Sequence, residues 1–155
     1  MHKSKIKWYF FIIPVFCMFI PALFLFVKPS THAHLVAIPA DRPMFSSPVA
    51  PVFSRAAYFI IYDVQNDTAK YIVNKYANGK YDVGWQVTKL LLRERIGTVI
   101  AKNVGVEPYM HLSMRGVKIY IGSANSVKEA IYKFKIGSLN CMAGPTEFFK
   151  IFGFA

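Results

Sequence analysis

Residues 98–121 read TVIAKNVGVEPYMHLSMRGVKIYI, and this stretch decides the fold. Thr98–Lys102 and Val117–Ile121 are short and rich in β-branched residues, which predicts two strands. Between them, Val106–Met114 predicts a short helix, because Pro108 is acceptable in a first helical turn. A strand, a helix and a second strand in this order predict parallel strands joined by a right-handed crossover.

The same alternation occurs immediately upstream. Ala69–Tyr76 predicts a strand, and the apolar residues of Val83–Ile96 fall on helical spacing, with Gly97 as a stop signal. Ala57–Val64 is apolar without alternation, as expected for a strand covered on both faces, and it predicts a hairpin with Ala69–Tyr76. His34–Pro39 predicts a further short strand before the hairpin. The chain therefore carries two consecutive strand–helix–strand units behind an antiparallel opening.

A capping box marks the last helix, since Ser126 is followed three residues later by Glu129. The predicted element order is three strands, helix, strand, helix, strand, helix. Parallel neighbours joined by helices need helical cover on the sheet faces. The sequence thus predicts an α/β fold with a mixed five-stranded sheet flanked by helices, in one domain over residues 34–142.

A long apolar run precedes this domain. Residues 8–27 read WYFFIIPVFCMFIPALFLFV without a charge, which matches the length of a transmembrane helix. Residues 1–7 hold three lysines and predict a cytoplasmic basic segment, so residues 28–33 become a linker and the domain lies on the extracytoplasmic, periplasmic side. A cleaved signal peptide is the alternative, although the apolar run exceeds the usual length of one. Both interpretations place the domain on the same side of the membrane.

The net charge limits the kinds of partner that the domain is expected to bind. The net charge is +11, and the chain after Lys28 carries +7, from fifteen basic and eight acidic residues. A basic domain beside a membrane predicts contact with lipid headgroups or with an acidic partner, and its location argues against nucleic acid.

The two cysteines are not expected to pair, because Cys17 lies in the predicted transmembrane segment and Cys141 lies in the domain. The sequence contains no cysteine and histidine spacing typical of a zinc site or of haem attachment. Residues 143–155 form an aromatic tail that is too short to span a bilayer.

Several segments occur in the order and spacing of a known family. They read Ala37-Ile38-Pro39, Ala50–Ala56 (APVFSRA) before Tyr58–Val64 (YFIIYDV), Ile96–Ile100 (IGTVI), Asn103–Gly105 (NVG), Gly116–Tyr120 (GVKIY) before Ser126–Ala130 (SVKEA), and Phe134–Leu139 (FKIGSL). In this order they resemble the dinitrogenase iron–molybdenum cofactor biosynthesis family, of the NifX and NafY type. The resemblance covers residues 34–142 and implies a ribonuclease H-like fold and the carriage of an iron–sulfur or iron–molybdenum cluster.

The departures from the family pattern concern its cluster contact. The family's motif reads S-P-H-F-G-R-A, and its histidine is replaced here by Val52, while the glycine after phenylalanine is Ser54. The glycine-rich stretch before the first helix is reduced to Gly84 and its neighbours. Valine cannot ligate iron, and the loss of glycine restricts backbone approach to a bulky inorganic ligand. The resemblance therefore implies the family's fold without its main ligand.

Four residues remain as candidates for chemistry. Arg55 and Asn103 are the candidate cofactor-binding residues: an arginine beside the loop can bind an anion or pair with an acid, and Asn103 can touch a ligand or hold a turn. His111 and Cys141 are candidate metal ligands, against the alternatives of a packed histidine and a buried or tail cysteine. His32 and His34 can share one side of an extended linker, although a chance pair is favoured.

The sequence favours a protein that is not an enzyme, because no carboxylate set for a nuclease and no catalytic triad can be argued from spacing. We expect a membrane-anchored accessory or scaffold subunit of a larger membrane assembly, of a redox kind, with no cofactor of its own. Its expected partners are membrane lipid and the other subunits. The alternative is an extracytoplasmic carrier that binds a metal ion or an iron–sulfur or iron–molybdenum cluster through His111 or Cys141.

Overall fold

The computed structural model describes residues 34–145. These residues form one six-stranded sheet with helices on both faces. The strands are β1 (Leu35–Ala40), β2 (Tyr58–Asp63), β3 (Thr68–Val73), β4 (Thr98–Ala101), β5 (Lys118–Ile121) and β6 (Asn140–Cys141), and the helices are α1 (Val83–Arg93), α2 (Val106–Ser113) and α3 (Val127–Lys135), with a 3₁₀ helix at Phe53–Arg55. The predicted α/β class and its mixed sheet are confirmed.

The strand count is a correction, because the sheet has six strands and not five. The additional strand β6 pairs antiparallel with β5, Tyr120 opposite Cys141. The chain reverses towards it at Gly137, whose φ of +68° suits glycine, and Leu139 is buried on the way. A strand of two residues has no measurable alternation of apolar and polar side chains, which is why the sequence pattern does not reveal it.

Strand pairing follows the order β3-β2-β1-β4-β5-β6. β1 pairs antiparallel with β2 and parallel with β4, and β4 pairs parallel with β5. The chain leaving β3 therefore crosses two strands before it enters the sheet again beside β1. Between β1 and β4 the strand order reverses, so this pair forms the topological switch point of the sheet.

Helices cover both faces of the sheet, which explains the unbroken apolar character of the central strands. On one face Phe59 and Ile61 pack with residues of α1 and α2, and on the other Ile60 packs with α3. Leu91 of α1 and Leu112 of α2 are fully buried. The prediction that Ala57–Val64 lies in a strand covered on both faces is confirmed.

Helix ends differ in how well local sequence predicts them. The Ser126 side chain accepts a hydrogen bond from the Glu129 amide at 3.2 Å, and the Glu129 carboxylate accepts one from the Asn125 amide at 2.8 Å. This confirms the predicted start of α3. The predicted end of α1 is corrected, because the helix ends at Arg93 and not at Ile96. Two residues after Arg93, Arg95 takes a left-handed φ of +58°.

The predicted basic segment 1–7, transmembrane helix 8–27 and linker 28–33 lie outside the described residues, as does residue 146 onward of the aromatic tail. Within residues 34–145, none of the helices is both long enough and apolar enough to cross a membrane.

Candidate functional site

A cleft of about 430 Å³ opens at the carboxyl ends of β1 and β4, the switch point where α/β sheets bind ligands. It is formed by the loop after β1 and by the starts of α1 and α2. Its lining residues are Val52, Ser54, Arg55, Lys80, Asp82, Val83, Gly84, Gly105, Val106, Glu107 and Pro108. The loop residues belong to the segment that matches the family's S-P-H-F-G-R-A motif, so the altered motif lies in the cleft.

The starts of two helices meet in this cleft. Asp82 precedes α1 with a left-handed φ of 52°, and Gly105 precedes α2 in extended conformation; neither supplies a side-chain cap to its helix. Amides in an uncapped first turn seek an acceptor, and the partial positive charge of the helix end favours an anion. Two such ends make the backbone of the cleft suited to a negatively charged group.

The charged side chains of the cleft are balanced. Arg55 and Lys80 are positive, and Asp82 and Glu107 are negative. The Glu107 carboxylate lies against the start of α1, since a Cβ placed on Gly84 would come 2.4 Å from Glu107 Oε2. A carboxylate in the first turn of α2, beside the start of α1, is itself favoured by both helix ends. Glu107 therefore competes with any external anion for this position.

Arg55 lies in the cleft as a structural link. Its Nη1 donates hydrogen bonds to the carbonyl oxygens of Ala77 at 2.9 Å and Gly79 at 2.6 Å. These bonds hold the turn that follows β3 next to the 3₁₀ helix. The guanidinium group thus faces the predicted site, and one of its nitrogens is used to shape that site.

Asn103 joins the two loops that form the cleft without lining it. Its Nδ2 donates to the Pro51 carbonyl at 3.0 Å, and its own carbonyl accepts from the Phe53 amide at 3.2 Å. Both contacts flank Val52. Asn103 thus links the loop after β4 to the loop that presents Val52 to the cleft, and its contact with a ligand stays a prediction.

The two candidate metal ligands lie on separate elements outside the cleft lining. His111 is on α2 with its ring 4.4 Å from the Trp85 ring, centroid to centroid, at an angle of 46°. Cys141 is exposed on the edge strand β6. Among residues 34–145, no group of three or more His, Cys, Asp or Glu side chains is arranged to hold a metal ion.

Asn74 is a site-shaping residue that the sequence did not single out. Its side chain is 4% exposed, and its Nδ2 donates to the carbonyls of Ser54 at 3.1 Å and Ala56 at 2.8 Å. Its Oδ1 accepts from the Tyr76 amide at 3.1 Å. The sequence pattern placed Asn74 inside a strand, whereas β3 ends at Val73 and Asn74 begins the turn that supports the cleft loop.

The side chains of the cleft do not match those that ligate an iron-containing cluster. Val52, at the family's histidine position, is 51% exposed and offers no donor atom. None of the lining residues of the described cleft is cysteine or histidine, the side chains that ligate iron in clusters. Backbone amides, Arg55 and Lys80 remain as groups that can attract a cluster by its charge. The cleft therefore suits an anion better than a directly ligated metal.

Comparison with known proteins places the domain. The model of the dinitrogenase iron-molybdenum cofactor family matches residues 34–137. The apo form of orange protein from Desulfovibrio gigas is similar with a TM-score of 0.72 and 25% identity, over 76% of this chain and 99% of that one. A NifB-type protein from Thermotoga, solved by NMR, is similar with a TM-score of 0.66 and 34% identity, over 73% of this chain and 97% of that one.

A dinitrogenase-type protein from Methanocaldococcus jannaschii shares the fold at 23% identity and a TM-score of 0.57, over 72% of this chain and 96% of that one. The comparison with curated proteins gave no match. The family model covers more than half of the chain, and the Thermotoga protein exceeds 30% identity over nearly three quarters of it. The chain therefore belongs to the dinitrogenase iron-molybdenum cofactor family.

Proposed function

We propose that this protein is a non-catalytic, membrane-anchored accessory subunit of a larger membrane assembly, built on a carrier domain that no longer ligates a cluster. The observation that carries the proposal is Val52. It stands in the cleft at the family's histidine position, half exposed, with a side chain that cannot bind a metal. A family member that keeps the fold but not this ligand is suited to using the fold as a scaffold.

Two further contacts support the loss of cargo. The Glu107 carboxylate lies against Gly84 in the first turn of α1, a position where the helix dipole favours a negative charge. The Arg55 guanidinium is engaged with the carbonyls of Ala77 and Gly79. The groups that would attract an anionic cluster are thus already partly satisfied within the protein.

The proposed setting comes from the sequence on either side of the described residues. The apolar run 8–27 would anchor the chain with its N-terminus in the cytoplasm and the domain on the periplasmic side. The aromatic tail after residue 143 and the basic surface would contact the other subunits and lipid headgroups. A redox assembly is the proposed kind of partner, and nucleic acid is not among the partners.

A second candidate function is an extracytoplasmic carrier of a metal-containing anion, such as an iron–sulfur or iron–molybdenum cluster. The uncapped starts of α1 and α2, together with Arg55 and Lys80, favour it, because they form an anion site that needs no side-chain ligand. The similar structure of the orange protein from Desulfovibrio gigas is that of an apo form.

Metal analysis of the native full-length chain in mild detergent tests both candidates. As a scaffold it should be colourless and contain little iron or molybdenum. Val52→His, compared with the metal-inert control Val52→Leu, should gain iron or molybdenum on incubation with both metals and sulfide. Stoichiometric iron or molybdenum in the unaltered protein, lost in an Arg55→Gln and Lys80→Gln double variant, would contradict the scaffold proposal and establish the carrier.

Co-purification tests the scaffold role directly. The unaltered chain should be recovered from membranes with other subunits in constant proportion. A chain that lacks residues 146–155 should keep the domain folded and lose part of this recovery. Recovery of the full-length chain alone, under detergent conditions that keep other membrane complexes intact, would contradict the accessory role.

A further inference from the structure

The carboxyl end of α2 and the residue after it carry the sequence Met110-His111-Leu112-Ser113-Met114. We propose that the two thioethers and the imidazole of this segment form a binding site for a soft monovalent metal ion, Cu(I) or Ag(I). The site is separate from the cleft and does not depend on the function proposed above. Iron or molybdenum content reports on the cleft, whereas Ag(I) or Cu(I) binding reports on α2, so the two tests can fail independently.

Helix geometry places the three side chains together. Met114 keeps right-handed helical dihedrals, and its amide donates to the Met110 carbonyl at 3.0 Å, so the helical turn continues through it. With 3.6 residues per turn, Met110, Met114 and His111 fall within an arc of about 100°. Side chains three and four residues apart on a helix have Cβ atoms about 5–6 Å apart, a span that flexible side chains can close around one ion.

The thioethers are accessible. Met110 is 52% exposed and Met114 is 77% exposed, whereas Leu112 between them is fully buried. The buried leucine anchors the helix against the core and directs its neighbours outwards. Methionine has an unbranched side chain with three rotatable bonds, so both sulfur atoms can adjust to a shared ligand without movement of the backbone.

The imidazole of His111 is held in place yet keeps its nitrogens. The ring packs on Trp85, and no hydrogen bond of the His111 side chain occurs within residues 34–145. A half-buried histidine without a polar partner retains a nitrogen that can coordinate a metal ion. Packing on Trp85 restricts the ring, which lowers the entropy cost of binding.

The chemistry of the donor set selects the metal. Thioether and imidazole donors suit Cu(I), whereas Ca²⁺ and Mg²⁺ require oxygen ligands. Glu107 lies three residues before Met110 on the same helix, but its carboxylate lies against Gly84. The two thioethers and the imidazole carry no negative charge of their own, which disfavours a divalent ion relative to a monovalent one.

Local electrostatics agree with a low charge on the ion. The site lies at the carboxyl end of α2, where the helix dipole favours a cation. Lys89 Nζ lies 5.6 Å from the centroid of the Trp85 ring and Arg115 follows Met114. These positive groups repel a divalent ion about twice as strongly as a monovalent one at equal distance.

Titration of the full-length chain in detergent with Ag(I) tests the site. Cys17→Ser and Cys141→Ser remove the thiols, and Trp8→Phe leaves Trp85 as the only tryptophan. We expect one Ag(I) per chain, quenching of Trp85 fluorescence, and NMR shifts of the Met110 and Met114 methyl groups, with the Met44 methyl unchanged as the internal control. Anaerobic Cu(I), titrated against a chromogenic chelator, should give the same stoichiometry.

Matched variants decide whether these residues are the ligands. Met110→Leu with Met114→Leu should weaken binding by at least about 100-fold, as expected for loss of direct ligands, and leave thermal stability unchanged because both side chains are exposed. Met44→Leu should bind like the parent. Equal affinity in the double methionine variant, or loss of binding on changing His32 and His34 to asparagine instead, would overturn the proposal.

Discussion

Replacing Asn74 by alanine tests how the cleft loop is held. The side chain is 4% exposed and makes three hydrogen bonds to backbone groups, two as donor to Ser54 and Ala56 and one as acceptor from Tyr76. A typical hydrogen bond contributes about 1 kcal/mol net, and a buried group left without a partner costs about 1–3 kcal/mol. We therefore expect Asn74→Ala to lower the free energy of unfolding by about 3 kcal/mol.

The aspartate variant separates hydrogen bonding from packing. Asn74→Asp keeps the size of the side chain but has no donor at neutral pH, so two backbone carbonyls would face a carboxylate instead of an amide. Its loss should equal or exceed that of Asn74→Ala. If the Asn74 side chain only filled space, the order would be the opposite: Asn74→Asp would be nearly as stable as the unaltered protein, and Asn74→Ala would be less stable.

Urea unfolding, followed by Trp85 fluorescence in the Trp8→Phe background, measures both effects. The matched control is Asn66→Ala, because the Asn66 side chain also donates to an acceptor, Asp63, but on an exposed turn. The control should lose less than about 1 kcal/mol, since water replaces an exposed hydrogen bond. A loss at Asn74 no larger than at Asn66, or a stable aspartate variant, would refute the support assigned to Asn74.

Three other positions give independent tests. Gly84→Ala should cost about 1–3 kcal/mol, measured by urea unfolding, because the new Cβ would lie 2.9 Å from Pro108 Cδ; no change would mean that the two helix starts are not in close contact. Hydrogen bonding, first from Tyr62, lowers the pKa of Asp67 below its ordinary 3.8. Asp67→Asn should therefore lower the melting temperature at pH 6, and the difference from the unaltered protein should vanish as the pH falls through the lowered pKa; a difference that persists in acid would contradict this. Ser126→Ala should cost about 1 kcal/mol in urea unfolding through loss of the cap of α3, and Ser126→Thr should restore most of it.

The element types were predictable because local pattern and burial agree. Ala57–Val64 has no alternation because β2 is covered on both faces, and Ser126 caps α3 through a short-range contact that a four-residue motif encodes. These features depend on neighbours within one element or on the mean environment of a strand. Sequence patterns carry such information directly.

Pairing and support contacts were less predictable because they join distant parts of the chain. β4 pairs with β1, more than 55 residues earlier, and not with the strand that precedes it. The bonds of Asn74 to Ser54 and Ala56 are decided by how the β2–β3 hairpin packs on the loop before it. No local signal distinguishes such an asparagine from one that begins an ordinary turn.

The candidate site was predictable in part. The family motif placed Val52 and Arg55 together, and both line the cleft. Asn103 was predicted to contact a ligand or to hold a turn, and its side chain bonds to Pro51 of the other cleft loop, a contact between distant residues that neither prediction named. Glu107 was not singled out, because a glutamate in the first turn of a helix is common and only the tertiary structure brings it against Gly84.

Glu107 links the electrostatics of the cleft to the proposed loss of cargo. Two uncapped helix starts at a switch point attract an anion whatever the side chains around them. A carboxylate beside them meets this preference from within the protein, whereas an exchangeable cargo would meet it only when bound. With Val52 at the family's histidine position and Glu107 against Gly84, the cleft holds a negative charge of its own and no side-chain ligand at that position, which supports the proposed scaffold role.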